Sequence, residues 1–139
     1  MSPKRHTDSD YERELEELRE RLLLMAGRVE EMLKESFRSL VERDADLAKQ
    51  VILDDLEVDR DEIAIDSMCL RVLARRQPMA SDLRFITLVL KAVTDLERVG
   101  DLARNICERA ISLSGQPPLK PYTDLPVLAN TCSTMLRDA

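Results

Sequence analysis

Residues 77–110 read QPMASDLRFITLVLKAVTDLERVGDLARNICERA, and the first two of them decide how the chain is laid out. The residue before a proline is pushed out of the helical region, so Gln77–Pro78 ends one helix. The next helix starts directly after the proline and runs from about Met79 to Leu113. Leu83, Ile86, Leu90, Val93, Gly100 and Cys107 mark its inner side. The seam Ile86, Leu90, Val93 leads to an apolar residue at 97, but Glu97 stands there, with Asp101 four residues on. Gly100 costs the helix about 1 kcal/mol relative to alanine. A close helix approach explains it as readily as a tolerated defect.

Upstream of this stretch, Asp44 is placed to cap a second helix, Ala45 to about Arg75. The first helix runs from about Ser9 to Glu42. Its inner positions Tyr11, Leu15, Leu18, Leu22, Met25, Val29, Met32 and Ser36 follow a 4-3 alternation, widened by Leu33, Phe37 and Leu40. The outer face carries opposite-sign pairs such as Glu17–Arg21 and Glu30–Lys34. Downstream, SGQPPLKPYTD (114–124) holds one glycine and three prolines and reads as a linker. Asp124 then caps a fourth helix with Pro126 in its first turn. Thr134–Ala139 matches Glu31–Ser36 in residue class at five of six positions, where a second copy of the first helix would fall. The expected fold is all-α: an antiparallel three-helix bundle (1–113), a Pro-rich linker (114–124) and the truncated first helix of a second repeat (125–139).

Composition narrows the function classes. Of 139 residues, 35% are charged and only 3% aromatic, so base stacking on single-stranded nucleic acid is disfavoured. A net charge of -6 argues against a phosphate-backbone binder. Cys69, Cys107 and Cys132 form no CxxC pair, and an odd thiol count suits a reducing cytoplasm. The polar start MSPKRHTDSD and the shortness of the apolar runs give no signal peptide and no membrane span.

The second helix carries a stripe of carboxylates, Asp55, Asp59, Glu62 and Asp66, spaced 4, 3 and 4. They fall within an arc of roughly 60°. None has a Lys or Arg three or four residues away on its own helix. Val51, Val58 and Ile65 flank the stripe on one side and Ile52, Leu56, Ile63 and Leu70 on the other, so it lies inside the apolar arc. Glu97 and Asp101 repeat the pattern on the third helix; Asp101 has Arg98 and Arg104 nearby, and Glu97 has no base at three or four residues. Partly buried carboxylates are costly unless protonated, paired or metal-bound. Oxygen-only donors in such number suit hard or borderline cations. Cross-helix ion pairs, from Arg28 or Arg38, are the competing reading.

These residues resemble a known family. The run 77–110, with its DLERVGDLA core, is similar to the third helix of the PhoU family, bacterial accessory proteins of phosphate signalling. HTDSDYERELEELRERLLLMAGRVEEML resembles the family's N-terminus and VILDDLEVDRDEIAID its second helix, so the likeness covers essentially the whole chain. The family carries two tandem three-helix units; this chain supplies the first and the start of the second, and a second metal cluster would lie beyond Ala139. The resemblance implies metal binding through an E/D-xxx-D motif on paired helices, matched here by Asp55-xxx-Asp59 and Glu97-xxx-Asp101. Glu62 and Asp66 extend that stripe outside the strict motif. The implied ligand is a divalent or trivalent metal, up to a multinuclear iron cluster, with Mg, Mn or Zn as alternatives.

It further implies a cytoplasmic negative regulator, peripheral to the inner face of the membrane through its partners. Those partners are a phosphate ABC transporter and a sensor histidine kinase; a homo-oligomer is also expected. Arg71, Arg75, Arg76 and Arg84 gather at the turn between the second and third helices, as a contact for an acidic partner or as plain solvated surface. No GxxxxGK[ST] loop is present to cradle phosphate. The alternative function is a metal-dependent all-α nucleotide pyrophosphatase, for which Arg98 and Arg104 are the only bases near the acids. A ferritin-like di-iron site needs histidines, and the single His6 lies at a terminus. A purely structural coiled coil would be indifferent to chelators.

Overall fold

The computed structural model describes residues 3–115 and 125–139, with side chains from 9 to 115 and from 126 to 139. The expected linker beyond Gly115, the Asp124 cap and the His6 side chain lie outside the described residues. The order of elements is α1 (Pro3–Glu42), α2 (Ala45–Arg75), α3 (Ala80–Leu113) and α4 (Leu125–Asp138). Helices α1, α2 and α3 all pack on one another, and α4 packs on α1.

The boundaries follow from local chemistry. Asp44 caps α2, its carboxylate accepting from the Leu47 amide at 3.0 Å. Arg43 makes the sharp reversal after α1 with φ 57°, the left-handed region in which a non-glycine residue is strained. Its guanidinium donates to the carbonyl of Leu113, which ties this corner to the end of α3. The Gln77–Pro78 break falls where the sequence puts it, and α3 begins one residue after Met79. Helix α1 starts at Pro3, six residues earlier than the sequence pattern alone suggests; proline is well tolerated in a first turn.

The core is a three-helix seam. Leu18, Met25, Val29 and Met32 of α1 meet Val51, Val58, Ile65 and Val72 of α2 and Ile86, Val89, Val93 and Ala103 of α3, all buried. Ser36 and Ser39, also buried, donate their hydroxyl protons to carbonyls of their own helix at 2.7 Å, which lets small polar residues sit in the seam.

Two expectations need correction. The α3 seam runs through Ile86, Val89, Val93, Leu96, Gly100 and Ala103 rather than through Leu90 and position 97. Glu97 therefore flanks the seam, half-buried, and replaces no core residue; Leu83, in the first turn of α3, is exposed. On α2 only the Val51, Val58, Ile65 flank is buried. Leu56, Ile63 and Leu70 are more than half exposed, so the acidic stripe marks the border of the core. A second apolar region opens between α1, α3 and α4, a groove of about 530 Å³ lined by Leu33, Phe37, Val99, Leu102, Ile106 and Leu136 among others. Among the described residues, no helix is long and apolar enough to cross a membrane.

Candidate metal centre

Helix α2 has a heptad register in which Val51, Val58, Ile65 and Val72 hold one core line and Ala48, Asp55, Glu62 and Cys69 the other. Two of the four positions in that second line are carboxylates. They meet α3, which runs antiparallel, on the side where it presents Glu97, Gly100, Asp101 and Arg104.

The six candidate carboxylates divide into three groups. Asp59, Glu62 and Glu97 come together: one oxygen from each lies within 4.8 Å of the other two. Three such oxygens fit around a shared centre at about 2.8 Å or less, near the roughly 2.3–2.6 Å that calcium takes. Asp55 and Asp101 are drawn elsewhere. Asp55 is only 4% exposed and accepts from Arg104 at 2.9 Å; the same guanidinium stands 3.6 Å from Asp101. Asp66 is half-buried one turn beyond Glu62 and joins neither group, contributing its charge to the first.

The electrostatics separate the groups as well. Burial pushes the Glu62 carboxyl from its usual 4.5 up to about 7; hydrogen bonding with Glu97 and the charges of Glu97, Asp66 and Asp59 add to it. A proton shared between Glu62 and Glu97 is thus the cheapest neutraliser in the absence of a cation. Burial also raises Asp55, and Asp59 adds to the rise, while Arg104 pulls the other way. The donor set of Asp59, Glu62 and Glu97 fits a hard cation: all three are carboxylates, close together, half-buried and without a basic partner among the described residues. The thiols are poor ligands by comparison, since burial raises Cys69 and Cys107 to about 11.

The two arginines offered from the sequence as cross-helix partners of the stripe, Arg28 and Arg38, are engaged elsewhere. Arg28 reaches Glu57 and Asp61 at 3.4 and 3.3 Å, and Arg38 pairs with Glu35 and Glu42 on its own helix. The base that crosses to the acidic stripe is Arg104, and the sequence signal for it was its place one turn after Asp101. Gly100 lies where α3 comes close to α2, but the space there does not require glycine. A Cβ there would lie 3.5 Å from Asp55 Oδ1 and 3.7 Å from Val58, in contact but without a clash. At the turn between α2 and α3, Arg76 pairs with Glu14 at 3.4 Å and lies over the Tyr11 ring.

Comparison with known proteins follows the same lines. A PhoU domain model matches residues 22–110. A "Phosphate-specific transport system accessory protein PhoU homolog" of Pseudomonas putida is 43% identical over 136 residues, covering 96% of this chain and 53% of the relative. The accessory protein PhoU of Escherichia coli (strain K12) is 37% identical over 134 residues, covering 96% and 56%. The crystal structure of PhoU from Pseudomonas aeruginosa superposes with a TM-score of 0.87 at 38% identity, over 91% of this chain and 61% of that one. The chain spans about half the length of the curated relatives it matches.

Proposed function

This chain belongs to the PhoU family, and on that premise we propose that it is a metal-binding helical adaptor that holds phosphate uptake and phosphate-starvation signalling in check. Asp59, Glu62 and Glu97 would hold the cation, with Asp66 adding negative field. The cation supplies a fixed positive charge that clamps α2 to α3. The chain's own residues do the rest: Glu62 gives up its proton on binding, and Asp59 and Glu97 become fixed across the groove. A clamped bundle presents rigid outer faces, the arginine-bearing turn at Arg71, Arg75 and Arg84 among them, to a phosphate ABC transporter on its cytoplasmic side and to a sensor histidine kinase. The observation that carries the metal reading is the convergence of three carboxylates without a base. The regulatory reading is supported by relatives named as accessory proteins of phosphate-specific transport.

The hydrolase alternative has less support. It needs basic groups free to hold phosphates beside the acids; Arg104 is occupied by Asp55 and Asp101, which leaves the exposed Arg98 alone of the two named bases. The test is complementation of a bacterium deleted for its own family member. The chain is expected to restore repression of phosphate uptake, and the Asp59→Asn/Glu97→Gln double variant to fail while still folding. Equal repression by both would remove the metal from the mechanism. Sustained nucleotide hydrolysis with Mg or Mn would favour the enzyme instead.

A further inference from the structure

The two E/D-xxx-D pairs do not form one continuous acidic site, because a side chain of the protein stands inside it. Asp55 has one oxygen committed to a base and the other turned toward α3. Oδ2 receives the Arg104 guanidinium at 2.9 Å, and Oδ1 lies against α3 at Gly100, 3.5 Å from where a Cβ would sit. The other arm of the same guanidinium is 3.6 Å from Asp101 Oδ1. Asp55 is buried, so a cation arriving there meets the Arg104 charge at close range and must displace it to take both oxygens of the carboxylate. Asp59, Glu62 and Glu97 face no such competitor among the described residues.

The geometry points to Arg104 as a built-in counter-cation that divides the acidic groove, closing the Asp55–Asp101 end to metal and setting how many ions the α2–α3 groove takes. Arginine suits this task. Its guanidinium stays charged at any working pH, and its planar fork spans two carboxylates at once. An arginine in this place removes two carboxylates from the donor set without lowering the negative charge of the other three. Arg104 touches no metal in this arrangement; it is a specificity-determining residue that acts by occupying the donors. The inference rests on the metal reading above for the Asp59, Glu62, Glu97 end.

The test is a titration of the purified chain with Mn²⁺ alone, counting ions bound per chain, with melting temperatures recorded in chelator and in Mn²⁺. Arg104→Gln is expected to bind at least one more ion than the wild type. It should melt lower than the wild type in chelator and regain that loss in Mn²⁺. Asp55→Asn, an isosteric change that avoids an uncompensated buried charge, is expected to keep the wild-type count. If Arg104→Gln folds only in Mn²⁺, the inference is supported; if it does not fold at all, the Asp55→Asn count decides. An unchanged count in Arg104→Gln, a melting temperature that Mn²⁺ does not restore, or loss of metal in Asp55→Asn would each overturn the inference while leaving the metal reading standing. A wild type that binds nothing beside an Arg104→Gln that does would reject the metal reading for the wild type and keep the role of Arg104. No binding in either rejects both.

Discussion

At one end of the α2–α3 groove, Asp55 and Asp101 share the guanidinium of Arg104; at the other, Asp59, Glu62 and Glu97 face one another with no base among the described residues. The two ends use the same residue types on the same two helices, yet their charge is met in different ways. The first is met by a covalent part of the chain, one permanently charged guanidinium shared by two carboxylates. The second is left to a proton or a cation, and so responds to pH and to metal supply. The difference teaches that an acidic stripe is not one site because it is one stripe: a single arginine one turn along the opposite helix changes what its members can bind.

The largest expected effect breaks the first end. Arg104→Met leaves Asp55 buried without a partner and should cost about 3 kcal/mol, the low end of the range for breaking such a pair, because the arginine side chain is 38% exposed. Adding Asp55→Leu should recover most of that loss, since apolar replacements of both partners are often neutral. Urea melts in chelator would show both changes; a single-variant cost under about 1 kcal/mol would mean that Arg104 does not hold Asp55.

The next effect belongs to the second end. Glu62 has a folded value of about 7 against an ordinary 4.5. Its contribution is therefore fully present below pH 4.5 and is lost as pH rises to about 7, so metal-free stability should fall across that window. Glu62→Gln should flatten this slope and stabilise the chelated protein above pH 7 by on the order of 1 kcal/mol, discounted for partial exposure. Mn²⁺ affinity of the wild type should rise through the same window as the proton leaves. A metal-free stability that rises from pH 5 to pH 7 would contradict this account of Glu62.

How much of this was legible beforehand depends on the range of the interaction. Helix ends are local: Asp44 with the Leu47 amide and the Gln77–Pro78 break lie within a few residues and read correctly. The turn of α3 about its axis was not local. Leu88, Val89 and Leu90 are consecutive apolar residues, so either Val89 or Leu90 satisfies the pattern, and only packing against α1 and α2 selects Val89. That one-residue choice moved Glu97 from the seam to its flank. The position of Arg104 opposite Asp55 required the register between α2 and α3, which the apolar pattern of either helix alone leaves open. The exposure of Leu56, Ile63 and Leu70 was hidden for the same reason: an apolar residue looks alike in sequence whether or not a neighbour covers it.

Smaller effects sharpen the comparison. Gly100→Ala meets only ordinary contacts at Asp55 and Val58, so it should stabilise α3 by about 0.5–1 kcal/mol and leave the ion pair intact. A destabilisation, with a weakened Asp55–Arg104 pair, would show that the space over Gly100 is needed. Smallest of all, Arg38→Ala removes an exposed arginine paired with two glutamates of its own helix, and the urea midpoint should not move measurably. The contrast with Arg104 is one of burial: the same side chain matters where its carboxylate partner has no water.

The most direct test is the metal content of Glu97→Gln beside the wild type, each saturated with Mn²⁺ and cleared of excess before elemental analysis. The wild type should retain Mn²⁺ and Glu97→Gln should lose it, with helical content unchanged by circular dichroism. Equal Mn²⁺ in the two proteins, or none in the wild type, would contradict the claim that Asp59, Glu62 and Glu97 are held together by a cation.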